Sequence, residues 1–147
     1  IPGEIQRSME ANLHRLQRER VDLIQLHTAV TDQRGTTRGS ISLEDVVGDQ
    51  GVVAGFERLR EQGLCDLFGF TGFGDTNFIH QMIESGDFDS VQTYHNLLNP
   101  SAGDAVQKGY AGQDFQRLMD RASERGMGVV VIRVMAGGAL GGPGVSH

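Results

Sequence analysis

Three observations in this sequence predict an α/β fold built on parallel strands. Short, nearly all-apolar segments recur at Val21–His27, Asp66–Thr71, Ser90–Tyr94 and Gly128–Val134. Between them lie stretches whose apolar residues repeat at helical spacing. Each of those stretches stops at a glycine (Gly63, Gly86 or Gly126) a few residues before the next strand. Strands alternating with helices in this way run parallel and join by right-handed crossovers. Their scant polar alternation suits a sheet covered by helices. Either an open doubly wound sheet or a section of an eight-stranded barrel satisfies the pattern. His27, Thr71, Gln92 with Tyr94, and Arg133 stand at the carboxyl ends of four successive strands. Such ends converge on one mouth in a barrel and are strung along an edge in an open sheet, so the polar tips favour the barrel.

The elements follow in order. Ile5, Met9, Leu13 and Leu16 fall on one helical stripe, and Arg15, Arg18 and Arg20 read as its solvated face. After the first strand, Thr28 to Ser40 is polar and aperiodic, which predicts a loop. Ser42 and Asp45 have the spacing of a capping box and open a helical turn. Val52, Phe56 and Leu59 mark the next helix. A glycine-rich turn follows the second strand, with Asp75 as a natural N-cap for a helix carrying Phe78, Ile79, Met82 and Ile83 on one face. The third strand leads into a long loop through Pro100 to Gly112, shaped by Asn96 and Asn99. Phe115, Leu118, Met119 and Ala122 mark the last helix before the fourth strand. The chain opens on Ile1 and ends in Gly141–His147 without closing an element. That suggests an interior piece of a longer polypeptide, all of residues 1–147 belonging to one domain; a processed small protein is the alternative.

Composition narrows the function. With 38% hydrophobic and 22% charged residues the 147-residue chain can pack a core. A formal charge of −6 argues against a general nucleic-acid binder. Cys65 is the sole cysteine, so no internal disulfide forms, as suits a reducing, cytoplasmic setting. No apolar run approaches the roughly 20 residues that span a bilayer, so no membrane partner is expected.

Among chemistry-bearing residues, His27 ends a strand with Gln25 on the same face. It reads either as a proton carrier or donor to a substrate oxygen, or as a histidine satisfied under a loop. Gln92, beside Tyr94, offers the carbonyl and amide that hold a carboxamide, or else a core hydrogen-bond knot. Gly69-Phe70-Thr71-Gly72-Phe73-Gly74 is not the dinucleotide fingerprint; its glycines let a ligand approach backbone at the strand end. The run Ala136–Gly142, with Gly138, can cradle an anion or be a frayed terminus. His14, His80, His95 and His147 lack ligand spacing, so no metal site is expected, and no hydrolase triad can be defended.

In order, four segments resemble the aldo-keto reductases. These are Leu13–Leu16 with Val21–His27, Phe56–Gly63 with Gly69–Thr71, Ser90–Asn99, and Gly138–Gly142. The resemblance implies strands four to seven of a TIM (β/α)8 barrel, about half of it, as four parallel strands alternating with helices. It implies NADP(H) as cofactor and a small aldehyde or ketone as substrate, with direct hydride transfer. Of the family's Asp, Tyr, Lys and His set only the His has a match, at His27. Gln92 matches the family's carboxamide clamp. Thr71 and Gly72 stand where Ser and Asn belong. The family's nicotinamide-stacking aromatic is missing: Ile132 or Arg133 falls at its position, depending on a one-residue choice of alignment, and Arg133 there would supply a cation–π or phosphate contact. The resemblance also predicts that the chain alone is inactive and associates through its open strand edges. A non-catalytic NADP-binding module of the same fold, or an unrelated open-sheet binding domain, would explain the same residues differently.

Overall fold

The computed structural model describes residues 1–142. Residues 143–147, including His147 and the end of the terminal glycine-rich run, lie outside the described residues. Helix α1 (Pro2–Leu16) leads into β1 (Leu23–Leu26). A small pair, β2 (Val30–Thr31) and β3 (Ile41–Ser42), precedes α2 (Leu43–Val47) and α3 (Val52–Glu61). Then come β4 (Leu67–Thr71), α4 (Thr76–Ser85), β5 (Ser90–Tyr94), α5 (Leu118–Glu124) and β6 (Gly128–Ile132).

The main sheet is all parallel in the order β1-β4-β5-β6. Each new strand adds on the same side as the one before, with no reversal of order. A doubly wound sheet requires such a reversal, so the sheet has the sequential order of a barrel wall. One face carries Phe68, Phe70 and Val91, all buried. Phe56 meets Phe68 at a 5.4 Å centroid distance, and Phe70 meets Phe88 at 4.9 Å. Burying each phenylalanine is worth about 1.5–3 kcal/mol, and this helix-covered face holds the core. The other face carries Gln25, Gly69, Thr71, Ser90, Gln92 and Tyr94 by strand alternation, flanked by exposed Leu23, Leu67 and Val130. The inner face therefore combines a polar cluster near the strand tips with exposed apolar side chains.

Several local expectations hold. Ser42 and Asp45 form a reciprocal capping box, and the Asp75 side chain accepts from the Asn77 amide. Gly63, Gly86 and Gly126 have φ between 71° and 77°, the left-handed geometry of a helix stop. Other expectations are corrected. The segment Thr28–Ser40 is not wholly loop, because Val30 and Thr31 pair in parallel with Ile41 and Ser42. Val30 also donates to the Phe73 carbonyl and accepts from the Asp75 amide. A Cβ on Gly74 would run into the Val30 backbone, so only glycine lets the two segments pass this closely. Helix α5 begins at Leu118 rather than near Phe115, since Gln116 and Arg117 take left-handed φ of 52° and 57°. Phe115 is buried all the same, in the turn before it. Arg18 and Arg20 lie beyond the end of α1, where left-handed Gln17 stops it, and Arg20 pairs with Asp66. The last strand ends at Ile132 because Arg133 leaves the extended region, at φ 55°.

Candidate functional site

Strand register brings three of the expected residues together. β1 pairs Gln25 with Gly69, and β4 pairs Thr71 with Gln92. His27, one step past β1, thus stands beside the tip of β4. His27 Nδ1 lies 2.9 Å from Thr71 Oγ1. Thr71 Oγ1 donates to Gln92 Oε1 at 3.3 Å, and Gln92 Nε2 donates to Gln25 Oε1 at 2.7 Å. Four side chains from three strands form one continuous run. Thr71 is buried, Gln92 and Gln25 are half-buried, and His27 is exposed at the open end.

Ser90 and Gly69 lie one row deeper. Gly69 leaves little room there: a Cβ on it would stand 2.5 Å from Ser90 Oγ and 3.1 Å from Gln25 Cγ and Nε2, so one of those side chains would have to move. Ser90 Oγ and Gln25 Nε2 are buried without hydrogen-bond partners. Sequence reasoning did not single out Ser90 or Gly69 as part of this packing. The signal lay in the period-two spacing from Thr71 and Gln92, each two residues further along its strand.

The remaining expected residues stand differently. Gly72 is buried, and its amide donates to the Gln92 carbonyl at 2.7 Å, extending the β4–β5 ladder. Its N–H is engaged, and its missing side chain faces the core, where a Cβ would stand 3.5 Å from Leu118 Cδ1 and 3.9 Å from Ile79 Cγ2, so only its carbonyl is left to offer a ligand. Arg133 does make a cation–π contact, and its partner is Tyr94, with the guanidinium 4.6 Å from the ring centroid. Asn96 Nδ2 holds the Arg133 carbonyl at 3.0 Å, which supports the left-handed bend. The same Asn96 accepts from the Leu98 and Asn99 amides, so it shapes the loop after β5. Gly138 is exposed in a single 3-10 turn (Ala136–Gly138), and its amide donates to the Met135 carbonyl. Among the described residues no hydrogen bond ties Gly138 to the His27–Gln92 run.

A cleft of about 560 Å³ follows the free edge of β1 beneath α1, with Met9, Ile24, Leu26 and Phe56 in its wall. It reaches both faces of β1 because that strand is the sheet edge, and it sits where a strand pairing with β1 would lie. It shares only Gln25 and His27 with the polar run, so its apolar wall is a seam between helix and strand. Among the described residues no group of three or more His, Cys, Asp or Glu could hold a metal ion. Likewise no described helix is long and apolar enough to cross a membrane. Burial pushes the Cys65 thiol above its ordinary range, which keeps it protonated and unreactive.

A sequential parallel sheet with polar groups collected at its strand tips has the architecture of a segment of a (β/α)8 barrel. The chain belongs to the aldo/keto reductase family, whose model matches residues 1–145. The fold is also similar to that of the aldo-keto reductase AKR11C1 from Bacillus halodurans in its holo form. That match has a TM-score of 0.67 and 20% sequence identity, covering 99% of this chain and 41% of the other. The chain therefore spans about two-fifths of that barrel protein, which accords with a partial barrel. No curated protein is significantly similar in sequence.

Proposed function

We propose that these residues serve an NADP(H)-dependent reductase that reduces a small aldehyde or ketone, or oxidises the corresponding alcohol. The observation that carries this reading is the run His27–Thr71–Gln92 across the tips of adjacent parallel strands, on a chain of this family. The cofactor, when bound, supplies the hydride. Its carboxamide fits the residues present. After their internal bonds, Gln92 Oε1 keeps a lone pair and Gln92 Nε2 a hydrogen, a donor and an acceptor on one planar group. Thr71 holds the Gln92 amide in place, and Gly72, next to it at the β4 tip, contributes through its backbone carbonyl. Arg133, at the β6 tip, offers a cation for a phosphate, and Gly138 lies in the turn that follows. His27 binds Thr71 through Nδ1, which leaves Nε2 to meet the substrate oxygen and orient it. The family's Asp, Tyr and Lys have no match here, so residues 1–147 by themselves are proposed to be inactive. Residues 1–147 are read as part of one barrel domain, placed in the cytoplasm on the family resemblance.

The test is turnover of the full-length protein on a panel of aldehydes and ketones, followed by loss of reduced-nicotinamide absorbance. His27→Ala is expected to lower kcat by about 100-fold or more while NADPH affinity stays near wild type. Unchanged turnover would remove His27 from the site. Tight NADPH binding without turnover on any carbonyl would instead favour a non-catalytic binding module.

A further inference from the structure

We infer that Gln25 is a positioning residue: it sets the direction of the hydrogen-bond chain through Gln92 and Thr71, and so holds neutral His27 with its proton on Nδ1. This rests on the proposed carbonyl site for its setting, though not for its test. The chain begins at Gln25, whose Nε2 is buried with no partner, so nothing relays beyond it. Its Oε1 accepts from Gln92 Nε2 at 2.7 Å, which turns the Gln92 carbonyl toward β4. Thr71 then donates its hydroxyl hydrogen to Gln92 Oε1 at 3.3 Å. A hydroxyl carries one hydrogen. Toward His27 the Thr71 oxygen can therefore only accept, and the 2.9 Å contact with Nδ1 is filled by an Nδ1–H.

One consequence concerns which form of substrate the ring meets. With Nδ1 protonated, the neutral imidazole presents a lone pair at Nε2. It accepts from a substrate hydroxyl and donates to a carbonyl oxygen only after taking a second proton. Were the Gln25 amide reversed, Gln92, Thr71 and the imidazole would reverse with it, and Nε2 would carry the hydrogen. The orientation of one amide, three hydrogen bonds away along the run, thus selects between donor and acceptor at the tip of β1.

The experiment is a long-range proton–nitrogen correlation on the 15N-labelled full-length protein at about pH 8, where imidazole is neutral. His27 signals are assigned by their loss in His27→Gln. Wild type is expected to show a pyrrole-type Nδ1 and a pyridine-type Nε2, with a bias of about tenfold, the net worth of one hydrogen bond. Gln25→Glu keeps an acceptor facing Gln92 and is expected to keep that pattern. Gln25→Met removes the acceptor and is expected to bring the two tautomers to comparable populations. Should Gln25→Met fail to fold, Thr71→Val breaks the relay at its next link and is expected to erase the bias equally. A wild-type ring protonated on Nε2 overturns the inference. So does a folded Gln25→Met protein, or Thr71→Val in its place, that retains the wild-type pattern. Turnover is no part of the readout, so a failure here and a failure of the reductase reading are distinguishable.

Discussion

Gly69→Ala tests how the inner face of the sheet is packed. Gly69 stands in register with Gln25 on one side and Ser90 on the other. An added Cβ would lie 2.5 Å from Ser90 Oγ, closer than non-bonded atoms approach, and 3.1 Å from two atoms of Gln25. Overpacking of this kind costs about 1–3 kcal/mol. Ser90 Oγ has no hydrogen-bond partner, so Ser90→Ala alone removes an unsatisfied group and costs roughly 0–1 kcal/mol. The double variant deletes the nearest clash and leaves only Gln25, a long side chain that can yield. A favourable coupling of about 1–2 kcal/mol between the two sites is therefore expected. Urea unfolding of the wild type, both single variants and the double variant measures it, provided the slopes agree. Wild-type stability in Gly69→Ala, or simple additivity in the double variant, would refute the packing described.

Three further outcomes are expected. The Arg34 guanidinium bonded to Asp45 (Nε to Oδ2 3.0 Å) holds the Asp45 carboxyl down to about 2. A carboxyl depressed on folding stabilises above its unfolded range and loses that contribution as pH falls toward the folded value. The stability advantage of wild type over Asp45→Asn should therefore shrink as acidification proceeds from the usual carboxylate range to about 2. A gap that stays constant in acid unfolding would count against the ion pair. Gln92→Ala should weaken NADPH binding to the full-length protein by about tenfold, the worth of one or two hydrogen bonds; calorimetry showing unaltered affinity rejects the clamp. Residues 1–147 expressed alone present the free edges of β1 and β6, so association is expected. Sedimentation as a stable, folded monomer would argue otherwise.

Much of this fold is legible without coordinates because its signals are local. The stripe Met9–Leu13, the apolar run at Val129–Ile132 and the stops at Gly63, Gly86 and Gly126 each announce an element within a few residues. Boundaries slip where backbone geometry is decided by distant partners. Val30 is a strand residue because Ile41 and Phe73 lie beside it, eleven and forty-three residues away. Arg133 ends β6 in a left-handed bend that the Asn96 side chain holds, thirty-seven residues earlier. Nothing in the spacing around either residue encodes those neighbours.

The site divides the same way. From the sequence alone come the order of the strands, the glycine stops, the family, and the identity of His27, Thr71 and Gln92 as residues at strand ends. Only tertiary structure decided that a single hydrogen-bond chain starts at Gln25, that Gly72 uses its amide within the sheet, and that Arg133 rests on Tyr94. Secondary structure follows from periodicity over one or two turns. Side-chain partnership follows from the register between strands tens of residues apart, and that register is set when the whole sheet packs against its helices.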